Sequence, residues 1–203
     1  MKRKVIMFQG ISGCGKGTQV AKVKTFLDEE TNTNTYIMEA GNGFRSFLSN
    51  KSYLAECASN ITKNGGFQPI FMSVWNWTNT IINGLKKEES IIFDGTPRQK
   101  DEPVILDELW EYVGHTDKVY VIYQKISDNE ARRRLKSRGR HDDHDEAIEK
   151  RIEGFKQHVL PVIEWYKKHD RYIVLEIDGS GSIEEVFEDI IKGLATDPNR
   201  ISG

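Results

Sequence analysis

Cysteine is scarce in this chain: Cys14 and Cys57 are the only two in 203 residues. That excludes a disulfide framework and fits a protein kept in a reducing, cytoplasmic setting. Long hydrophobic runs are absent too. No stretch reaches membrane-spanning length, and the apolar run behind the charged N-terminus is too short for a secretory signal. Nor is there an excess of one charge, with 29 Lys and Arg against 31 Asp and Glu. Without a net field, neither nucleic acid nor a membrane surface is an expected partner. The length suits a single domain, 1–203, with room for a proper core and small inserts.

The most informative segment is the junction of Val5-Ile6-Met7-Phe8 with Gly10-Ile11-Ser12-Gly13-Cys14-Gly15-Lys16-Gly17-Thr18-Gln19. A strand-like run, a glycine-rich turn and a helical pattern follow one another. Closely spaced glycines let successive N–H groups point inward as an anion nest, ahead of a helix N-terminus whose dipole favours negative charge. Lys16 adds a mobile cation for the outer phosphates, so a nucleoside triphosphate is the expected ligand. Gly17 stands between Lys16 and Thr18, where the common form of this motif has Ser or Thr directly after the lysine.

Short apolar runs at 4–8, 35–39, 90–93, 118–123 and 171–176 predict strands, with helical patterns between them at about 16–30, 69–86, 102–113, 128–138 and 145–168. A last helix is expected from Ser182, which forms a capping-box pair with Glu185. Five apolar strands separated by helices imply an α/β fold, a five-stranded parallel sheet covered by helices on both faces. Ligands on such sheets bind beyond the carboxyl ends of the strands, where the glycine loop and Asp94 both fall. The interval 40–68 breaks the alternation. It has helical stretches near 42–50 and 52–64 and no strand, and reads as a helical insert. The tail 196–203 is expected to fray.

Two further constellations carry chemistry. In Ile91-Ile92-Phe93-Asp94-Gly95-Thr96-Pro97-Arg98 a buried strand ends in a carboxylate, then a turn, then an arginine. Asp94 suits the water shell of Mg²⁺, and Arg98 suits a phosphate. The basic run from Arg132 to Arg140 is followed at once by acidic residues, which argues against a nucleic-acid patch. Phosphoryl transfer needs positioning and charge neutralisation rather than covalent work by the protein. Arg134, Arg138, Arg140 and Arg151 are candidates for that task, since arginine is permanently charged and forked. Asp142 and Asp143 could pair with them when no nucleotide is bound, and Arg132 and Arg133 read as a solvated helix face.

The segments GISGCGKGTQ, GNGFR, GGFQP, DGTPR and GRHDD…KR, in this order, resemble the adenylate kinase family of nucleoside monophosphate kinases. The similarity covers nearly the whole chain. It implies the P-loop NTPase fold, a monophosphate-binding helical insert at 40–68, a short lid at 134–145 and a monomeric enzyme. The implied reaction moves the γ-phosphoryl group of ATP to a nucleoside monophosphate, with Mg²⁺ and with AMP as the default acceptor. By the same resemblance, Gly13, Cys14, Gly15, Lys16, Gly17 and Thr18 cradle ATP together with Arg134 and Arg138. Arg45 and Arg98 hold the acceptor phosphate, in a site that also takes in Ala40, Gln68, Asp94, Gly95 and Glu102. Arg138, Arg140 and Arg151 surround the transfer point with Lys16 and Arg98, and Asp94 orders the metal's waters. The absence of cysteines from the lid excludes a zinc-binding form.

The chain departs from the family around the acceptor base. Ala40, Asn42, Gln68 and Thr96 replace the usual Thr, Asp, Val and aromatic residues. Glu102 stands where adenylate kinases carry Gln. An ionised Glu only accepts hydrogen bonds, which suits a base edge presenting two donors, as guanine does. Alternatively Glu102 lies exposed at a helix start, where its charge favours the dipole, and Gln68 or Gln99 reads the base. AMP and another monophosphate such as GMP both stay open at this point. So do a kinase for a non-nucleotide small molecule and a non-catalytic nucleotide-binding module. Phe71, Trp75 and Trp77 are expected to pack rather than stack on a base.

Overall fold

The computed structural model describes residues 3–140 and 143–195, so His141, Asp142 and the tail 196–203 lie outside the described residues. Five strands, β1 (Val5–Gly10), β2 (Thr35–Glu39), β3 (Ser90–Asp94), β4 (Val119–Lys125) and β5 (Tyr172–Asp178), form one parallel sheet in the order β2-β3-β1-β4-β5. The helices are α1 (Lys16–Thr31), α2 (Ala40–Leu48), α3 (Tyr53–Lys63), α4 (Ile70–Gly84), α5 (Glu102–Tyr112), α6 (Asp128–Arg138), α7 (Asp145–Gly154), α8 (Leu160–Tyr166) and α9 (Ile183–Ala195). The helix expected over 145–168 is interrupted by a π-helical turn at Phe155–Val159, between α7 and α8.

The central strands read as continuous apolar runs because both faces are covered. Val5 and Met7 of β1, with Ile91, Phe93, Val119 and Val121 beside them, face Trp77 of α4, Leu106 and Trp110 of α5, and Val162 and Tyr166 of α8. Their neighbours Ile6, Phe8, Ile92, Tyr120 and Ile122 point the other way. They meet Val20, Val23 and Leu27 of α1 and Val186, Ile190 and Leu194 of α9. Full burial of one such side chain stabilises by about 1.5–3 kcal/mol. A third cluster, with Ile11, Cys14, Leu135, Ile148, Ile152 and Ile163, anchors α6 to α8 against the glycine loop.

β1 therefore lies between β3 and β4, where successive connections diverge, and its carboxyl end opens into a crevice. β1, β4 and β5 each run past the last expected residue, to Gly10, Lys125 and Asp178. Gln9 and Gln124 are buried in these extensions. At α9, Ser182 Oγ accepts from Glu185 N–H at 3.3 Å while the Glu185 carboxylate accepts from Ser182 N–H at 2.8 Å, which is the expected capping box.

Candidate functional site

The loop after β1 ends with Gly15 at φ 98°, a left-handed conformation that glycine adopts without strain, and α1 begins at Lys16. No side chain caps this helix and its first turn has no acidic residue, whereas Ser52, Ser127 and His144 cap α3, α6 and α7. An uncapped N-terminus beside a glycine turn is a ready anion site. Lys16 Nζ donates to the carbonyls of Gly10 at 2.7 Å and Ile11 at 3.1 Å, so the cation is folded over its own loop. Gln124, from the end of β4, donates to Cys14 O at 3.4 Å and braces the loop from below. Cys14 is buried, while Gly17 and Thr18 are exposed at the rim.

The turn after β3 meets this loop. A Cβ added to Gly95 would lie 3.2 Å from Arg98 Nη2 and 3.5 Å from Lys16 Cε, so the lysine and the arginine converge on one point. Asp94 Oδ2 lies 4.0 Å from the corresponding point on Gly17. Gln9 donates to Pro97 O at 2.8 Å and ties the turn to β1. Arg98 Nε donates to Gly95 O at 2.5 Å. Arg98 is exposed to solvent as a residue, with protein packed around its side chain. Burial beside neighbouring protein atoms lowers its pKa, opposed by Glu102 and Asp94 and reinforced by the positive charge of Arg151.

The remaining arginines divide into two groups. Arg134 Nη1 donates to Gly179 O at 3.0 Å and to Cys14 O at 3.4 Å, clasping the glycine loop against the loop after β5. Arg138 and Arg151 share Asp143. Arg138 binds it in a fork at 2.9 and 2.8 Å, Arg151 Nη1 reaches it at 2.7 Å, and Arg140 N–H donates to it at 3.1 Å. Burial alone would raise the Asp143 carboxyl, but these bonds outweigh it and hold it down to about 2. The Arg140 side chain is exposed. Arg132 and Arg133 make exposed surface pairs with Glu149 and Glu130.

On the other side of the cleft, Asn76 of α4 donates to Ala40 O at 2.8 Å. Arg45 is exposed and its guanidinium lies over Gly41, 3.1 Å from where a Cβ would stand. Gln68 Nε2 donates to Ala58 O at 2.9 Å and Thr62 Oγ1 at 3.0 Å, and its Oε1 is buried with no partner among the described residues. Gln99 Nε2 is committed to Gln68 O at 2.9 Å.

Glu102 opens α5 but is fully buried, which rules out the alternative that it lies exposed at a helix start. Its Oε1 accepts from the N–H groups of Arg98 and Gln99, both at 3.0 Å. Its Oε2 accepts from Ser73 Oγ at 2.9 Å and Trp77 Nε1 at 3.1 Å. Burial raises its pKa, against the pull of those four bonds. Of the three aromatic residues expected to pack on α4, Trp77 does so, within the core. Trp75, 42% exposed, packs edge-on against Phe47 of α2 at 5.0 Å, and with Phe71, 58% exposed, it lines a groove of about 490 Å³ between α4 and α5.

A family profile described as adenylate kinase matches residues 8–171. The chain belongs to the adenylate kinase family. An adenylate kinase of Leifsonia xyli subsp. xyli is 30% identical over 199 residues, covering 94% of this chain and 92% of that protein. A UMP-CMP kinase of Danio rerio is also 30% identical, over 200 residues, covering 94% and 96%. The adenylate kinase of Azobacteroides pseudotrichonymphae is 28% identical over 187 residues, covering 90% and 93%. Membership makes this chain a phosphotransferase, a nucleoside monophosphate kinase. Relatives named for different acceptors stand at equal distance, so the acceptor has to be argued from the site. Among the described residues no helix is long and apolar enough to cross a membrane, and no group of three His, Cys, Asp or Glu residues could hold a metal ion.

Sequence reasoning missed Gln9, Ser73, Gln124 and Gly179, and the hydrogen bond from Trp77 to Glu102, which hold the site's loops from beneath. The glutamines carried a signal: each is a polar residue at the end of an otherwise apolar strand.

Proposed function

We propose that this kinase transfers the γ-phosphoryl group of ATP to the phosphate of AMP, with 1–203 as one monomeric kinase domain. The observation that carries the reading is the meeting of Lys16 and Arg98 over Gly95. It supports a donor half and an acceptor half that share one reaction point. In this reading the turn from Gly13 to Thr18 cradles ATP, and Arg134 and Arg138 approach it from α6. Arg98 and Arg45 hold the acceptor phosphate, within a site flanked by Ala40, Gln68, Asp94 and Gly95. The segment 40–68 is the monophosphate-binding insert and 134–145 the lid.

The acceptor phosphate is already ionised, so an oxygen attacks the γ-phosphorus in line without a general base. Lys16, Arg98, Arg138, Arg140 and Arg151 neutralise the charge that spreads over the moving group. Arg138 and Arg151 leave Asp143 for the phosphates as the lid closes, and closure excludes water that would otherwise take the phosphoryl group. Mg²⁺ fits this donor set, since it binds through phosphate oxygens and few carboxylates, and it would supply charge neutralisation with Asp94 ordering its waters.

Two facts favour AMP. The Glu102 oxygens are already engaged, so the acceptors that a guanine edge would need are not free. Among the described residues the buried Oε1 of Gln68 lacks a donor, and adenine's exocyclic amino group is one, as is cytosine's, so this point separates AMP from UMP and dTMP. ADP production from ATP and Mg²⁺, with AMP, GMP, CMP, UMP and dTMP supplied singly, tests the assignment. AMP is expected to give the highest kcat/KM. A preference for any other monophosphate would overturn the assignment, and no turnover with any acceptor would remove the catalytic reading.

A further inference from the structure

Glu102 sits in a pocket built for a side chain that only accepts. Three of its four donors cannot reverse: the backbone N–H groups of Arg98 and Gln99, and the indole N–H of Trp77. Ser73 Oγ alone could turn round and accept. A glutamine in either amide orientation would set its own NH₂ against at least one of those fixed donors. With a carboxylate all four are satisfied, in a place that water does not reach. The departure from the family's Gln is thus matched by its surroundings.

The partners also show what the carboxylate is for. Two belong to the turn that carries Arg98, and two lie on α4, one helical turn apart. Asn76, on the same stretch of α4, holds Ala40 O at the start of α2. One helix therefore braces both the segment that leads into Arg45 and the turn that carries Arg98. The Glu102 charge also lies close enough to Arg98 to favour its cationic form.

We infer that Glu102 is a positioning residue: it fixes the 95–99 turn to α4 and so aims Arg98 at the acceptor phosphate, and it does not read the base. This rests on the proposal that Arg98 binds that phosphate. A positioning role acts equally on every acceptor, because all of them share the phosphate. Its path to that phosphate runs through Arg98.

Calorimetric titration of AMP, CMP, GMP and UMP into Glu102→Gln, Arg98→Ala and the double variant tests this without relying on turnover. Glu102→Gln is expected to weaken each monophosphate by about tenfold and by a common factor, with ATP affinity unchanged. In the Arg98→Ala background the same substitution is expected to add less than about twofold, since the path through Arg98 is gone. A tenfold loss in both backgrounds, or a changed order among the four bases, overturns the inference. Should Glu102→Gln fold poorly, Ser73→Ala removes one donor only, and a loss of about twofold common to all four acceptors is expected. An Arg98→Ala variant that binds every monophosphate as tightly as the parent would overturn the Arg98 proposal itself. A changed base order with Arg98 still essential would overturn only the positioning role of Glu102.

Discussion

Asp143→Asn is the substitution whose cost can be worked most directly from the structure. The Asp143 carboxylate is fully screened from solvent, with Arg138, Arg151 and the N–H of Arg140 directed at it. A carboxyl ordinarily near 3.8 is held down to about 2. At about 1.4 kcal/mol per pH unit that corresponds to roughly 2 kcal/mol of folding stability at neutral pH. Arg138 is one-third exposed, so solvent screening trims the figure, and about 1–2 kcal/mol is expected. For a chain of this size that lowers Tm by about 2–8 °C. The sign of the pH dependence follows from a depressed carboxyl. Its contribution is complete above the unfolded value near 3.8 and is lost as pH falls through about 2. Urea unfolding of the parent and Asp143→Asn at pH 7, 5 and 3 should show a constant gap between 7 and 5 that shrinks by roughly half at pH 3. A gap of the same size at pH 3 and pH 7 would refute the reasoning, because the interaction would not then depend on the carboxylate charge.

Three other outcomes are expected. Lys16→Met should fold normally, with Tm within about 2 °C of the parent, yet lose on the order of 100-fold or more in kcat measured by ADP release, as for the loss of one preorganised charge at a transferring group. Gly10→Ala would set a Cβ 2.6 Å from Gln124 O, a backbone atom that cannot step aside. It should cost more than about 1 kcal/mol by urea unfolding and weaken ATP binding measured by titration. Phe93→Ala removes a fully buried ring that packs edge-on to Trp110 at 5.6 Å, and should destabilise by about 3–5 kcal/mol without changing the order of preferred acceptors in the ADP assay.

What the sequence made legible follows from the range of the forces involved. The five strands announce themselves because a strand covered on both faces must be apolar throughout, as Ile6 to Phe8 and Ile91 to Phe93 are, and because helical patterns separate the runs. Their carboxyl ends reach further than the apolar pattern indicates. Hydrophobicity stops at Phe8 and Tyr123, but backbone pairing continues through Gln9 and Gln124, which turn their amides to the neighbouring loops. The glycine loop is local, so its conformation is written in adjacent residues. The exposure of Phe71 and Trp75 was not legible, because helical spacing says which residues share a face and not whether anything covers it.

Glu102 marks the boundary most sharply. Its residue type is conspicuous, and its inability to donate follows from chemistry alone. Which donors would meet it depended on Ser73 and Trp77, 29 and 25 residues earlier in the chain, and on the path of a turn that brings two N–H groups to one oxygen. Before the fold is known, a lone acceptor can be matched to a ligand as readily as to the protein. Once four internal donors are found, a base would have to break existing bonds before it could use that carboxylate. Each broken bond leaves a buried donor unpaired, at about 1–3 kcal/mol. On the proposed reading that cost moves Glu102 from the groups that face the substrate to the framework behind Arg98, while Gln68 Oε1 stays buried without a partner among the described residues.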